Sequence, residues 1–177
     1  MLLLAGVVGC SKHESTTAGS PQQTVSVLGS GPVVPSQPPV AHIDFRSREA
    51  EPFIKGFWSD PNPENRWSVG HHTEMMFTLN ESAATQIVIT TGAYIAPEKI
   101  ERQRVQISLN GKPLSTLEIK TSETKVYNVT VPPNSWTGHS TLVFELPDAD
   151  SPTHLGLGDD VRNLGLAIQT IKIEKRS

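Results

Sequence analysis

Apolar residues alternate with polar ones through most of the chain after His42, and this alternation restricts the possible folds more than any other feature. Successive side chains of a β-strand point to opposite faces, so alternation is expected of a strand with one buried face. No stretch of ten residues has the 3.6-residue period of an amphipathic helix. The alternating runs are residues 43–45, 73–79, 86–91, 102–109, 114–119, 125–131, 141–146 and 164–173. Eight or nine short strands separated by turns predict an all-β fold, an antiparallel β-sandwich of jelly-roll type.

Two local signals sharpen this prediction. Asn110-Gly111 lies between two alternating runs, and this dipeptide favours the two-residue turn of a β-hairpin. In the last run, Leu164, Leu166 and Ile168 are followed by Ile171 and Ile173, so the alternation changes phase. A change of phase within one strand predicts a β-bulge near Thr170.

The chain begins with an apolar run that ends in its single cysteine, Cys10. The run resembles the second half of a bacterial lipoprotein signal peptide, in which a peptidase cuts before the cysteine and the thiol receives a lipid. No basic residue precedes the run, although a signal peptide normally starts with one, so we expect the true start to lie further upstream. The resemblance implies a signal peptide over residues 1–9, a lipid- and palmitate-bearing Cys10, and, with serine at position 11, the outer membrane. A buried free thiol in an ordinary N-terminal strand is the alternative.

Residues 10–41 have the composition of a linker. From Ser11 to Ala41, 20 of 31 residues are Ser, Thr, Pro, Gly or Gln, too few apolar side chains to offset the entropy of ordering. We therefore predict a disordered tether over residues 10–41 and a β-sandwich domain over residues 42–177. The net charge of −3 argues against nucleic acid as a partner, because phosphate binding requires a basic surface.

Residues 56–70 combine aromatic, acidic and guanidinium side chains around two prolines. Trp58, Glu64, Arg66 and Trp67 form a candidate sugar site: aromatic faces stack on sugar rings, and charged planar groups form paired hydrogen bonds to hydroxyls. Because Trp67 and Val69 alternate, a second interpretation places these two in the core, with Arg66 paired to an acid of the domain.

Residues 151–165 contain Asp159, Asp160 and Arg162 in a glycine-rich stretch, and these three complete the candidate ligand-binding residues. A pair of carboxylates can perform hydrolysis, and Glu64 is a third candidate acid. Adjacent residues on a strand point to opposite faces, however, so the favoured interpretation is an ion pair between one aspartate and Arg162 or Arg66. We therefore predict no catalytic residues.

Two sets of residues are alternatives for a metal site, one for zinc and one for calcium, and neither is the favoured prediction. His71, His72 and Glu74 have the wrong spacing for zinc, since His71 and His72 would face opposite sides of a strand. A structural calcium ion bound by loop carboxylates is the better alternative; its ligands would be Asp148, Asp150, Asp159 and Asp160.

Together the two segments resemble an accessory β-sandwich domain that is appended to bacterial glycosyltransferases and phosphoglycerol-transferase-like membrane enzymes. The first segment carries a Gly-aromatic-Ser element, a Pro-Glu and an Arg-Trp-Ser; the second carries a Ser-Pro, a Leu-Gly and an Asp-Asp-x-Arg-x-Leu-Gly. The matching residues are Gly56, Phe57 or Trp58, Ser59, Pro63, Glu64, Arg66, Trp67, Ser68, Ser151, Pro152, Leu155, Gly156, Asp159, Asp160, Arg162, Leu164 and Gly165.

The resemblance implies a non-catalytic module of envelope glycan biology, held on a membrane by its lipid and associated with a polysaccharide. The alternative function is that of a structural subunit, docked onto an envelope protein complex through a sheet face or an edge strand.

Overall fold

The structure, a computed structural model, describes residues 40–79 and 84–175. Nine strands account for most of the described chain, with one 3₁₀ turn at Arg48–Ala50 and one short helix, α1, at Pro152–Leu155. The strands are β1 Ala41–Asp44, β2 Ile54–Trp58, β3 Arg66–Leu79, β4 Ala84–Ala93, β5 Gln103–Leu109, β6 Lys112–Ile119, β7 Lys125–Thr130, β8 Gly138–Glu145 and β9 Leu164–Lys175. β1 begins at Ala41, within the predicted linker. Cys10 and the predicted signal peptide lie outside the described residues.

All pairings between these strands are antiparallel, and they form two groups. One has the order β6-β5-β8-β3-β2, and the other has the order β7-β4-β9-β1. Strand β3 belongs to both, because its residues 66–69 pair with β9 whereas residues 72–79 pair with β8. The strand changes partner at Gly70, whose φ of +95° is a left-handed conformation that suits glycine. The predicted antiparallel sandwich is confirmed.

The core lies between the two groups of strands. Alternate residues of the inner strands are buried, as in β5, where Val105, Ile107 and Leu109 point inward. One continuous cluster of buried apolar side chains results, and complete burial of each Leu, Ile or Phe stabilises the fold by about 1.5–3 kcal/mol. Its largest fully buried members include Phe45, Phe144, Met75, Ile87, Ile89, Ile107, Leu142 and Leu166.

Both local signals of the sequence are confirmed. Asn110 and Gly111 have φ of +52° and +75° and join β5 to β6, as a two-residue hairpin turn requires. In the pairing of β9 with β4, Thr170 lies opposite Thr90 and Ile168 opposite Thr91, so Gln169 is the extra residue of a bulge.

The first candidate segment, residues 56–70, has more regular secondary structure than the sequence indicates. Residues 54–58 form β2 and residues 66–69 form the first part of β3, where the sequence suggests a proline-interrupted loop. The interpretation that Trp67 and Val69 enter the core is wrong: both are half-buried, and Arg66 and Ser68 are the buried residues. Within residues 40–79 and 84–175, no helix has the length and hydrophobicity that a membrane-spanning helix requires.

Candidate functional site

The outer face of β2 and β3 carries an exposed aromatic side chain, Phe57. On β2, Ile54 and Trp58 lie opposite the buried Met75 and Ser68 of β3 and face the core. Phe57, next to Trp58, therefore faces solvent, and 78% of its surface is accessible. It follows a bulge between Lys55 and Phe57, at Gly56 with φ of +85°. A phenyl ring this exposed contributes almost nothing to the core, so its presence needs another explanation.

Trp67 extends this aromatic surface along β3. Its outward orientation follows from the partner change at Gly70: before Gly70 the even-numbered residues 66 and 68 face inward, and after it the odd-numbered residues 73, 75 and 77 do. The indole meets the ring of Tyr94 edge to face, with 6.5 Å between ring centroids and 80° between planes. Tyr94 directly follows β4 and is held by its backbone N–H, which donates to the Gly165 carbonyl at 2.8 Å.

We call Phe57, Val69, Trp67 and Tyr94 the aromatic strip. Val69 lies directly opposite Phe57 and shares its face, so the four side chains cross the strands from β2 to the end of β4. In the order β2-β3-β9-β4, three strand-to-strand spacings of about 4.7 Å separate the first strand from the last, so the strip is about 14 Å long. An apolar surface of this shape suits an extended ligand better than a compact one.

Charged side chains stand beside the tyrosine end of the strip. Arg162 binds Asp160 through two parallel hydrogen bonds, Nε to Oδ1 at 2.9 Å and Nη2 to Oδ2 at 2.6 Å. These bonds, with the backbone N–H of Arg162, lower the pKa of Asp160 to about 2. Burial raises the pKa of Tyr94, and the negative charges of Asp150 and Asp160 raise it further. The backbone brings Asp150 close, because the Leu164 N–H donates to the Asp150 carbonyl at 2.9 Å and the next residue, Gly165, is bonded to Tyr94.

The second predicted segment is held rigidly around α1. Ser151 caps the helix, since its Oγ accepts from the His154 N–H at 3.1 Å, and Gly156 ends it in a left-handed conformation. The Thr153 N–H donates to the Asp160 carbonyl at 3.0 Å, which fixes the loop that presents Arg162.

Of the predicted residues, Trp67 contacts Tyr94, and the bonded pair Asp160–Arg162 lies in the loop that leads to Gly165, the residue bonded to Tyr94. Trp58 instead packs on Phe45, with ring centroids 5.2 Å apart, and its indole N–H donates to the Lys55 carbonyl. Trp58 therefore supports the core rather than the outer face.

Arg66 also points away from the strip. Its Nε donates to the Ser59 carbonyl at 2.7 Å, its Nη2 lies 3.9 Å from the Glu51 carboxylate, and only 6% of the residue is exposed. Burial lowers the pKa of Arg66, against the opposing effect of Glu51 and Asp60. Nη1 is buried without a hydrogen-bond partner. The acid near Arg66 is Glu51, not one of the aspartates of the second segment.

The two remaining predicted acids are exposed. Glu64 lies in the turn before β3, where its backbone N–H donates to Asn62 Oδ1 at 2.9 Å. Asp159 is exposed in the loop after α1 and makes no side-chain bond within the described part of the chain. Asp160 is kept ionised by Arg162, so it is unsuited to donate a proton as a general acid.

The carboxylates proposed for calcium have other partners. Asp148 binds Arg104 at 2.6 Å, Asp150 binds His154 at 2.8 Å, and Asp160 binds Arg162. Among residues 40–79 and 84–175, no group of three or more acidic, histidine or cysteine side chains is arranged to hold a metal ion. His72 is likewise engaged, between the carboxylates of Glu74 at 2.8 Å and Glu145 at 2.7 Å.

Sequence reasoning missed Tyr94 and did not separate Phe57 from Trp58. Tyr94 follows the alternating run at residues 86–91, so the sequence indicates that it lies just beyond a strand. Its proximity to Trp67 depends on β9 lying between β3 and β4, which the sequence does not indicate. Phe57 and Trp58 could have been assigned to opposite faces once residues 54–58 were recognised as a strand.

Solved structures share this architecture at low sequence identity. The CBM36-1 domain of a multidomain xylanase from the hindgut metagenome of Trinervitermes trinervoides matches with a TM-score of 0.50 and 13% identity, over 77% of this chain and 98% of that domain. The family GH115 4-O-methyl-α-glucuronidase BtGH115A, with specificity for decorated arabinogalactans, matches with a TM-score of 0.55 and 11% identity, over 84% of this chain and 19% of the enzyme.

The Agl-KA catalytic domain matches with a TM-score of 0.51 and 10% identity, over 80% of this chain and 28% of its own length. The described fold therefore corresponds to only a fraction of these two larger structures. At such identities the likeness concerns the fold. No family model matches the chain, and none of the curated proteins matches it.

Proposed function

We propose that this domain binds a polysaccharide along the aromatic strip without cleaving it. The observation that carries the proposal is the exposure of Phe57, 78%, on a face that it shares with Trp67 and Tyr94. Sugar rings present flat C–H surfaces that pack on aromatic rings, and their hydroxyls bond to charged planar groups at the same site. The strip supplies the first kind of contact, and the Asp160–Arg162 pair supplies the second.

The fold comparisons support this choice of ligand class. One similar structure is described as a carbohydrate-binding module of a xylanase, and another belongs to an enzyme with specificity for decorated arabinogalactans. A fold hosts many functions, so the argument for this chain depends on the exposed Phe57 and on the half-buried Trp67 and Tyr94.

The decisive experiment measures polysaccharide binding by Phe57→Ala and Trp67→Ala variants of the lipid-free chain. Affinity electrophoresis in gels that contain a xylan, an arabinogalactan or a glucan reports binding as retarded migration. Covering Phe57 with a sugar ring would contribute about 1–2 kcal/mol, so we expect a five- to thirtyfold loss of affinity. Val126→Ala is the matched control, because Val126 is also exposed and apolar but lies on β7.

Phe57→Ala should leave thermal stability unchanged, since the ring lies outside the core. If wild-type protein is not retarded by any of these polysaccharides, or if Phe57→Ala and Trp67→Ala migrate like the wild type, the strip is not a sugar site.

We also propose that a lipid on Cys10 anchors the domain in the outer membrane. The apolar run before Cys10 and the polar, proline-rich residues 11–41 support this location. Metabolic labelling with an alkyne-tagged palmitate, followed by membrane fractionation, tests it. Wild-type protein should incorporate label and fractionate with the outer membrane, and Cys10→Ser should do neither. Label on Cys10→Ser, or soluble wild-type protein, would contradict the anchor.

Docking onto an envelope protein is the second candidate function. Exposed apolar side chains at Leu157 and Val161, 55% and 75% accessible, favour it because they project from the loop next to Arg162. In-cell photocrosslinking at position 161 should capture one defined envelope protein if this function is correct. A crosslink that is equally strong from Val126 would indicate non-specific contact.

A further inference from the structure

A polar groove of about 770 Å³ lies beside the candidate site, at the end of the sandwich where β5 begins and β8 ends. Its walls are the turn at residues 98–102 and residues 147–150 with His154. The side-chain amide of Gln103 donates both to the Tyr94 carbonyl at 3.0 Å and to the Asp148 carbonyl at 3.1 Å, so the tyrosine end of the aromatic strip adjoins the groove.

Glu98 occupies an unfavourable backbone conformation at the edge of this groove. Its φ is +67°, a left-handed value that glycine or asparagine adopts more easily. The turn that holds it is closed by the Ile100 N–H, which donates to the Ala96 carbonyl at 2.7 Å. The Glu98 side chain is exposed and has no hydrogen bond or ion pair with the described residues. A strained residue with a free carboxylate at a groove is a reason to look for a function.

The histidines of the groove are oriented by their neighbours. His71 Nδ1 lies 3.2 Å from the Leu146 carbonyl, and its Nε2 lies 3.3 Å from the side-chain amide of Asn163. Both nitrogens of His71 are therefore engaged. His154 instead directs Nδ1 to the Asp150 carboxylate at 2.8 Å and leaves Nε2 open, with 77% of its side chain accessible. The groove thus offers an oriented imidazole nitrogen in addition to the Glu98 carboxylate.

The charges of the groove decide which ligands it accepts. Four carboxylates line it, those of Glu98, Glu101, Asp148 and Asp150, and Arg104 neutralises Asp148, which it binds at 2.6 Å. Three carboxylates then stand against two permanent cations, Lys99 and Arg102, which leaves an excess of one negative charge. A phosphate or a uronic acid would be repelled by this excess of negative charge. Hydroxyl groups are suited to it, because each can donate to a carboxylate and accept from an ammonium or guanidinium group.

We infer that the groove is a second subsite, which holds an uncharged, hydroxyl-rich sugar residue through hydrogen bonds rather than by stacking. This inference rests on the proposed function for its class of ligand and extends it to residues outside the aromatic strip. Glu98 and Glu101 accept hydrogen bonds from sugar hydroxyls, and His154 Nε2 supplies a further polar contact. A polysaccharide that lies on the strip can reach the groove at its tyrosine end.

The test compares three single variants, Glu98→Gly, Glu98→Gln and Glu101→Gln, in the same affinity gels. Glu98→Gly removes the carboxylate and relieves the left-handed strain, so it should melt at the same or a higher temperature and bind at least threefold more weakly. Weaker binding by a protein that is no less stable cannot be attributed to unfolding. Glu98→Gln and Glu101→Gln should also weaken binding. Glu174→Gln is the control, because Glu174 lies far from the groove. Asn163 lines the groove, and Glu174 lies ten residues along β9 from the next residue, Leu164, a distance of about 33 Å.

The outcomes separate the two proposals. If the wild type binds a neutral polysaccharide and all three groove variants bind equally well, the groove proposal is overturned and the strip stands. If the wild type binds no polysaccharide, the proposed function itself fails. Tighter binding of the acidic polymer polygalacturonate than of neutral xylan or glucan, reduced by Glu98→Gly, would contradict the charge argument. If all three groove variants bind more weakly than the wild type and Glu174→Gln binds like the wild type, the subsite is supported.

Discussion

Replacing Arg66 tests whether this guanidinium belongs to the fold or to the ligand site. The sequence favours a ligand-binding role, whereas in the structure Arg66 is 6% exposed and bonds the Ser59 carbonyl at 2.7 Å. Its Nη1 has no partner and its nearest acid, Glu51, is 3.9 Å away and partly exposed. The buried charge is therefore only partly compensated, and this determines how different replacements should behave.

Arg66→Ala and Arg66→Met should differ in stability by the packing of the side chain. Both replacements leave the Ser59 carbonyl without its donor, which costs about 1–3 kcal/mol, and both remove the cost of burying a charge, so these two opposing effects are common to the variants. Methionine keeps most of the buried volume, so its net effect should be about 1 kcal/mol in either direction. Alanine loses two buried methylenes in addition, about 1.6 kcal/mol, so its melting temperature should lie about 5 °C below that of the methionine variant.

Urea unfolding followed by tryptophan fluorescence measures both variants, with the slope of the transition as a check on two-state behaviour. Affinity electrophoresis of Arg66→Met then separates the two roles, because the variant keeps the fold and lacks the guanidinium. Binding equal to that of the wild type is expected. The reasoning is refuted if Arg66→Met is as unstable as Arg66→Ala, or if it is stable and no longer binds.

Two further predictions concern the sheets. His72 donates hydrogen bonds to the carboxylates of Glu74 and Glu145, and these bonds raise its pKa in the folded protein. Its contribution to stability is therefore fully present below about pH 6.5 and is lost as pH rises through the raised pKa. The stability advantage of wild type over His72→Gln in urea should be larger at pH 5.5 than at pH 9, and an equal advantage at both would refute this prediction. A methyl group at Gly165 would lie 2.7 Å from Leu146 Cδ1 and 3.0 Å from Ser68 Oγ, so Gly165→Ala should cost about 1–3 kcal/mol. Gly158→Ala, whose nearest atom lies at 3.7 Å, should be tolerated, and equal melting temperatures of the two variants would contradict the packing argument.

The middle of the domain could be predicted from the sequence because its strands obey one simple rule. In β5 and β8, every second residue from Val105 and from Leu142 is buried and apolar, and turn residues such as Asn110-Gly111 separate the runs. Period-2 alternation then determines which face is inside, and hairpin turns determine which strands are neighbours. The order of the strands that no hairpin joins depends on pairing between residues far apart in the sequence, and no local pattern predicts it.

The candidate site was harder to predict because β3 does not keep one phase. The strand changes partners at Gly70, and its inward residues change from even to odd positions. Continuous alternation through this strand would place Trp67 inside and Arg66 outside, opposite to what is found. The ion pair between Asp160 and Arg162 was easier to predict, because the two residues are two positions apart and meet through local geometry alone.

Three departures from ordinary folding rules lie on β2, on β3 and in the turn after β4, and they are an argument for function. Phe57 exposes an aromatic ring on a strand, Arg66 buries a charge with an unbonded nitrogen, and Glu98 holds a left-handed backbone without glycine. Each costs stability that a simpler residue would retain, and such conflicts are expected where a surface is selected for binding. Arg66 positions the strand that carries Trp67, whereas Phe57 and Glu98 meet solvent at the strip and the groove. If all three were only tolerated defects, replacing Phe57 and Glu98 would leave every binding property of the protein unchanged.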